Sequence, residues 1–204
     1  MAALLLGLVA SGAGAATGGE ERLKAFLASV QALEAGFSQQ VVDSRGVVLE
    51  DSSGTVVMQR PGRFRWNYTS PFERVIVADG ERIWLYEADL AQVTIRRLSA
   101  SIGDTPAALL TGRESVLDRF DVARSWQEDG LAYVRLAPRS ADADFAAVSL
   151  AFDGAVLRRL VLDDRLGQQT RIDLTDVRVN PKVPPDQFRF EPPAGVDVID
   201  DSEL

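Results

Sequence analysis

Between Glu20 and Ala35 the apolar positions Leu23, Phe26, Leu27, Val30 and Leu33 recur at intervals of three and four residues. That spacing predicts an amphipathic helix whose one apolar stripe must cover something. After Gly36 the period changes to two. Asp79-Gly80, Asp129-Gly130 and Asp153-Gly154 each stand between two β-type runs. Asp-Gly suits the positive-φ positions of tight hairpins, so these runs are expected to pair antiparallel. The predicted strands are Phe37–Val42, Thr55–Gln59, Arg63–Tyr68, Arg74–Ala78, Arg82–Glu87, Gln92–Arg97, Arg119–Trp126, Ala132–Ala137, Ala146–Phe152, Val156–Leu162 and Gln169–Val177. So many strands in one sheet accumulate too much twist to stay flat, which predicts a large curved antiparallel sheet forming an incomplete β-barrel. Between the two meanders, Thr105-Pro106 reads as an N-cap followed by Pro at the first helical position, with Ala107–Leu110 behind it and Gly112 as its end. A further short helix is expected around Glu114–Asp118. The fold class is therefore α+β, mainly β, with an N-terminal helix and short helices over the sheet and a Pro-rich tail (Pro181, Pro184, Pro185, Pro192, Pro193).

One face of the sheet is unusually aromatic. Arg63-Phe64-Arg65-Trp66-Asn67-Tyr68 alternates strictly, with three aromatics on one side. Ile83-Trp84-Leu85-Tyr86 is apolar at every position, so both sides of that strand should be covered. Phe37, Val41, Val75 and Val77 are candidates to line the same concavity. Periodicity favours a filled core here over a ligand hollow, because most apolar faces are core. Arg60, just before the Pro61-Gly62 turn, bears on the choice. If its register matches Phe64 and Trp66, a guanidinium sits at the mouth of the apolar face, where it needs acceptors such as carbonyls of a nearby short helix. Otherwise it is a surface Arg at a turn. The residues alone leave both readings open.

The two ends and the composition narrow the function. Met1–Ala16 (MAALLLGLVASGAGAA) has an apolar stretch and then small residues, as a secretory leader does, and cleavage near Ala15 or Ala16 is expected. Residues 20–204 then form a single domain. The chain has no Cys and no His, which removes Cys/His nucleophile pairs, Ser-His-Asp triads, thiolate or imidazole metal sites and disulfides. The formal charge of −8 disfavours binding to nucleic-acid phosphate or anionic lipid. No catalytic residue, metal ligand or cofactor is assigned.

Several blocks in order then resemble the LolA family of periplasmic lipoprotein carriers, over roughly Leu23 to Val198. They are Phe37-Ser38-Gln39-Gln40, Arg60-Pro61-Gly62-Arg63-Phe64-Arg65-Trp66, Val77-Ala78-Asp79-Gly80 before Trp84-Leu85-Tyr86, Gln92-Val93-Thr94, Thr105-Pro106 with Leu109-Leu110, and Phe188–Val196. The resemblance implies a half-open barrel whose apolar concave face, under a helical lid, holds acyl chains. It implies that Arg60 hydrogen-bonds to the lid, that Leu109 and Leu110 belong to the lid helix, and that Phe37, Phe64, Trp66, Tyr68, Trp84 and Tyr86 line the acyl-chain cavity. It further implies a monomeric periplasmic carrier, loaded by an inner-membrane ABC-type exporter and unloaded to an outer-membrane lipoprotein receptor. The alternative is the same fold binding another lipid or glycolipid. A carboxylate hydrolase would require two inward acids beside the aromatics, and Asp142/Asp144 and Asp163/Asp164 read instead as turn residues.

Overall fold

The structure, a computed structural model, describes residues 18–98, 110–111, 116–141, 143 and 145–202. The expected leader, the Thr105-Pro106 cap, Leu109, Asp142 and Asp144 lie outside the described residues. The described residues open with helix α1 (Gly18–Ser29) and continue into β1 (Ala32–Val42), β2 (Val48–Gln59), β3 (Arg63–Ser70), β4 (Arg74–Asp79), β5 (Arg82–Glu87) and β6 (Gln92–Arg97). A short helix α2 (Val116–Arg119) then leads into β7 (Phe120–Glu128), β8 (Leu131–Pro138), β9 (Phe145–Asp153), β10 (Val156–Asp164), β11 (Gln169–Val179) and β12 (Asp197–Asp200). All twelve strands form one sheet in the order β12-β6-β5-β4-β3-β2-β1-β11-β10-β9-β8-β7. The two halves join where β1 pairs β11, and β7 and β12 remain unpaired with each other, so the barrel is incomplete. The three Asp-Gly hairpins form as expected, and Asp129 and Gly130 both take positive φ (50° and 78°), as a primed hairpin turn requires.

Leu23 and Phe26 of α1, with Val30 just beyond its end, are buried, and α1 packs on the inner face over β7, β8 and β9. The helix is shorter than its periodicity predicts. It ends at Ser29, and Leu33 and Ala35 belong to β1, where both are still buried. The cause is a distant cap. Asn180, just after β11, accepts from the Gln31 and Ala32 N–H groups through Oδ1 and donates from Nδ2 to the Ser29 carbonyl. It thereby satisfies the groups that a helix end leaves orphaned.

The register shows which residues share the inner face. Leu33, Ala35 and Phe37 lie opposite Met58, Val56 and Gly54. Met58, Val56 and Gly54 in turn oppose Phe64, Trp66 and Tyr68. From the other half come Ile172, Leu174, Leu160, Val148, Leu150, Phe152, Val134 and Leu136, all in the same buried cluster as α1. On the outer face Asp163 pairs with Arg135, and Asp164 accepts from the Leu166 and Gln168 N–H groups at a turn.

A second, smaller core lies on the outer face. Val77 pairs with Arg65 and with Trp84, and Val75 pairs with Asn67 and with Tyr86, so these residues face away from Phe64 and Trp66. Val93 and Ile95 extend the patch. The tail crosses it: the 3-10 turn Pro185–Phe188 packs on β3 and β4, Phe188 is 1% exposed, and Phe190 meets Tyr86 at 5.8 Å between ring centroids. β12 then adds parallel to β6. The tail is thus a packed strap. Phe188→Ala is expected to cost about 3–5 kcal/mol, which lowers Tm by about 6–20 °C. Thermal unfolding checks this, and an unchanged Tm would mean that the strap adds no stability.

Candidate functional site

Arg60 sits where α1, the β2–β3 turn and the inner face converge. Its Nη1 donates to the Leu27 carbonyl at 2.8 Å and its Nε to the Leu110 carbonyl at 2.9 Å. The guanidinium carbon lies 5.7 Å from the centroid of the Phe26 ring. Leu27 belongs to the last turn of α1, where unpaired carbonyls and the negative end of the helix dipole favour a cation. A second tie runs beside it, the Gly62 N–H donating to the Thr111 carbonyl at 2.8 Å. Burial pushes the guanidinium pKa down from its ordinary value, yet it stays cationic because that value starts so high. Among the described residues Nη2 is buried without a hydrogen-bond partner. Arg60 is therefore on the concave side rather than the surface, and it fastens Leu110 to α1 beside the apolar face.

Next to this fastening the inner face is aromatic. Phe37 lies edge-on to Trp66 (centroids 4.9 Å, 68°) and to Tyr68 (5.0 Å, 78°), an arrangement that aromatic quadrupoles favour. Phe37, Phe64, Tyr68 and Leu110 share one buried cluster, with Trp66 packed against it. Trp84, Tyr86, Val75 and Val77 are not; they belong to the outer core. β5 is apolar at every position, so periodicity cannot choose its phase, and the β4–β5 register turns Ile83 and Leu85 inward beside Ala78 and Ile76. Those inward residues are the ones that sequence reasoning missed on this strand.

Farther along β1 the lining turns polar. Tyr68 donates its hydroxyl to Gln39 Oε1 at 3.1 Å, and Gln39 Nε2 reaches Glu50 Oε1 at 3.5 Å. Ser52 lies opposite Gln39 and is buried. The Arg74 guanidinium stands 5.4 Å from the Tyr68 ring centroid. Burial, together with the Glu50 charge, pushes the Tyr68 phenol up to about 12, against a smaller opposing pull from Arg74, so it remains a donor at neutral pH. Glu50-Asp51-Ser52-Ser53 has no apolar alternation, so the strand that periodicity predicts begins only at Thr55 and leaves this group out. The one available signal was Gln39 itself, an amide at an inward position of an otherwise apolar strand.

Residues 28–191 match the family described as "Outer membrane lipoprotein carrier protein LolA". The chain belongs to the LolA family. LolA-family relatives named outer-membrane lipoprotein carrier protein include one from Bordetella avium, 39% identical over 98% of this chain and 95% of that protein. Another, from Nitrosospira multiformis, is 42% identical over 87% of this chain and 86% of its own length. Among solved structures, a LolA superfamily protein from Nitrosomonas europaea superposes with a TM-score of 0.50 at 12% identity, over 84% of this chain and 97% of that one. An uncharacterized conserved protein from Thermus thermophilus gives 0.53 at 15% identity, over 89% and 96%. At such identities these neighbours speak to the fold, an unclosed curved sheet, and to nothing finer. LolA is a family of carriers rather than of enzymes.

Proposed function

We propose that this chain carries outer-membrane-directed lipoproteins through the periplasm by burying their acyl chains against the inner face. The observation that carries the reading is Arg60, which bridges the Leu27 and Leu110 carbonyls over an aromatic and aliphatic surface. At about 0.8 kcal/mol per buried CH₂, exposing one sixteen-carbon chain to water costs about 13 kcal/mol. A lipoprotein therefore needs a covered route. Arg60, Leu110 and Leu109 act as the gate, and Phe37, Phe64, Trp66 and Tyr68 line the hollow, with Ile83 and Leu85 in the places first assigned to Trp84 and Tyr86. The gate is held by a few hydrogen bonds to a charged group, each worth about 1.5–3 kcal/mol, which is small beside acyl burial. Cargo can therefore open it.

The carrier works as a monomer, without cofactor and without catalysing a reaction. Residues 1–16 are its export leader, and residues 20–204 its single carrier domain. No helix among the described residues is long and apolar enough to cross a membrane. An inner-membrane ABC-type exporter supplies the energy for loading, since this chain has no phosphate-cradling Gly-rich Lys motif. An outer-membrane receptor of higher affinity takes the cargo. Native mass spectrometry of the exported protein, before and after a delipidating wash, tests the proposal. The expected result is acylated protein or lipid bound before the wash and rebinding of a synthetic lipopeptide after it. A protein that is empty throughout and accepts no acylated molecule would overturn the reading.

A further inference from the structure

At the end of the inner face away from Arg60, Gln39, Ser52, Tyr68, Glu50 and Arg74 form a polar girdle across β1, β2, β3 and β4. Hydrocarbon has no use for such groups. The most telling is Ser52, which is only 3% exposed, and whose Oγ is buried without a hydrogen-bond partner among the described residues. A buried hydroxyl left unpaired is a net cost to the fold. Its alternation with Val56 and Met58 turns it to the inner face, opposite Gln39. Arg74 faces the same way, opposite Tyr68, and its Nε is 3.9 Å from Glu87, a loose pairing that leaves the guanidinium able to donate elsewhere.

We propose that Ser52 and Arg74, beside Gln39 and Tyr68, form a subsite for the ester and amide carbonyls at the head of an acylated amino terminus. This rests on the carrier reading above. The chemistry selects a neutral acceptor: the girdle offers donors, while Glu50 beside Gln39 and Glu87 beside Arg74 repel a phosphate or a free fatty-acid carboxylate. The dimensions agree. From Leu33 to Gln39, β1 spans about 20 Å, so a long acyl chain laid along the strand keeps its carbonyl at the girdle and its hydrocarbon among Phe37, Trp66 and Phe64. The subsite thus orients the cargo, tails toward Arg60 and peptide outward at the opposite end.

The test uses the full mature chain and three probes: a synthetic triacylated Cys-Ser-Lys lipopeptide, dipalmitoylglycerol, and diphenylhexatriene, a hydrocarbon fluorophore with no polar atom. Ser52→Ala is expected to weaken lipopeptide binding about fivefold and Arg74→Met about tenfold, with diphenylhexatriene affinity changed less than about twofold. Ser52→Ala should unfold at the wild-type temperature or higher, since it removes an unpaired hydroxyl; Arg74→Met, at the half-exposed rim, decides independently if that variant folds poorly. A matching loss for dipalmitoylglycerol assigns the girdle to ester carbonyls in general, and a loss for the lipopeptide alone assigns it to the amide. Unchanged lipopeptide binding in both variants overturns the subsite, and so does an equal loss for all three probes, which would mean that these residues merely shape the hollow. A wild-type protein that binds none of the probes rejects the carrier reading together with the subsite.

Discussion

Gly54→Val is expected to cost at least about 4 kcal/mol, a fall in Tm of at least about 8 °C. The reason is a close approach of β2 to β3. A Cβ at Gly54 would lie 1.9 Å from the Asn67 carbonyl oxygen and 2.8 Å from its carbon, both backbone atoms that cannot swing away. It would also come within 3.0 Å of the Phe37 ring, which lies over the glycine and holds the edge-on contacts with Trp66 and Tyr68. The branch of valine adds methyl groups to that space. Either the strands part, losing ladder hydrogen bonds where the register already shifts between Ser53 and Gly54, or the aromatic group disperses. Both routes damage stability and the site together. Thr55→Ala, one residue on and exposed, should stay within about 0.5 kcal/mol. Denaturant unfolding of the two variants checks the contrast, and a Gly54→Val midpoint equal to that of wild type would show that β2 and β3 separate at little cost.

The same region shows how far the sequence can be read. Strict alternation in Arg63–Tyr68 placed Phe64, Trp66 and Tyr68 on one face, and the Asp-Gly pairs located three hairpins, because each signal is local and strong. The phase of Ile83-Trp84-Leu85-Tyr86 was not legible: with the main buried cluster within and the Phe188 strap without, both faces are apolar and a period of two carries no sign. The end of α1 was not legible either. Leu33 and Ala35 suit the helical stripe and the strand equally well, and the choice between them is made by Asn180, which is remote in sequence and is held beside Gln31 by the pairing of β1 with β11. The polar girdle escaped because Glu50–Ser53 lacks the apolar alternation that announces a strand.

Arg60→Met tests the gate most directly. The substitution keeps an unbranched side chain beside Phe26 and removes the donors to the Leu27 and Leu110 carbonyls. Two hydrogen bonds to a charged group are worth about 1.5–3 kcal/mol each, but burying the guanidinium takes back part of that, as its lowered pKa indicates. A net loss of about 1.5–3 kcal/mol from the closed state shifts the closed-to-open ratio by about tenfold to a hundredfold. Under the proposed gating, closure competes with occupancy, so the apparent affinity for cargo should rise by the same factor. Loading should proceed and release should slow: transfer of a bound lipopeptide to a higher-affinity acceptor is expected to fall at least about tenfold. Arg60→Lys, which keeps the charge but cannot reach two carbonyls with one fork, should fall between. The time course of transfer from each loaded variant measures the effect, and wild-type kinetics for Arg60→Met would mean that Arg60 fastens the fold without gating the hollow.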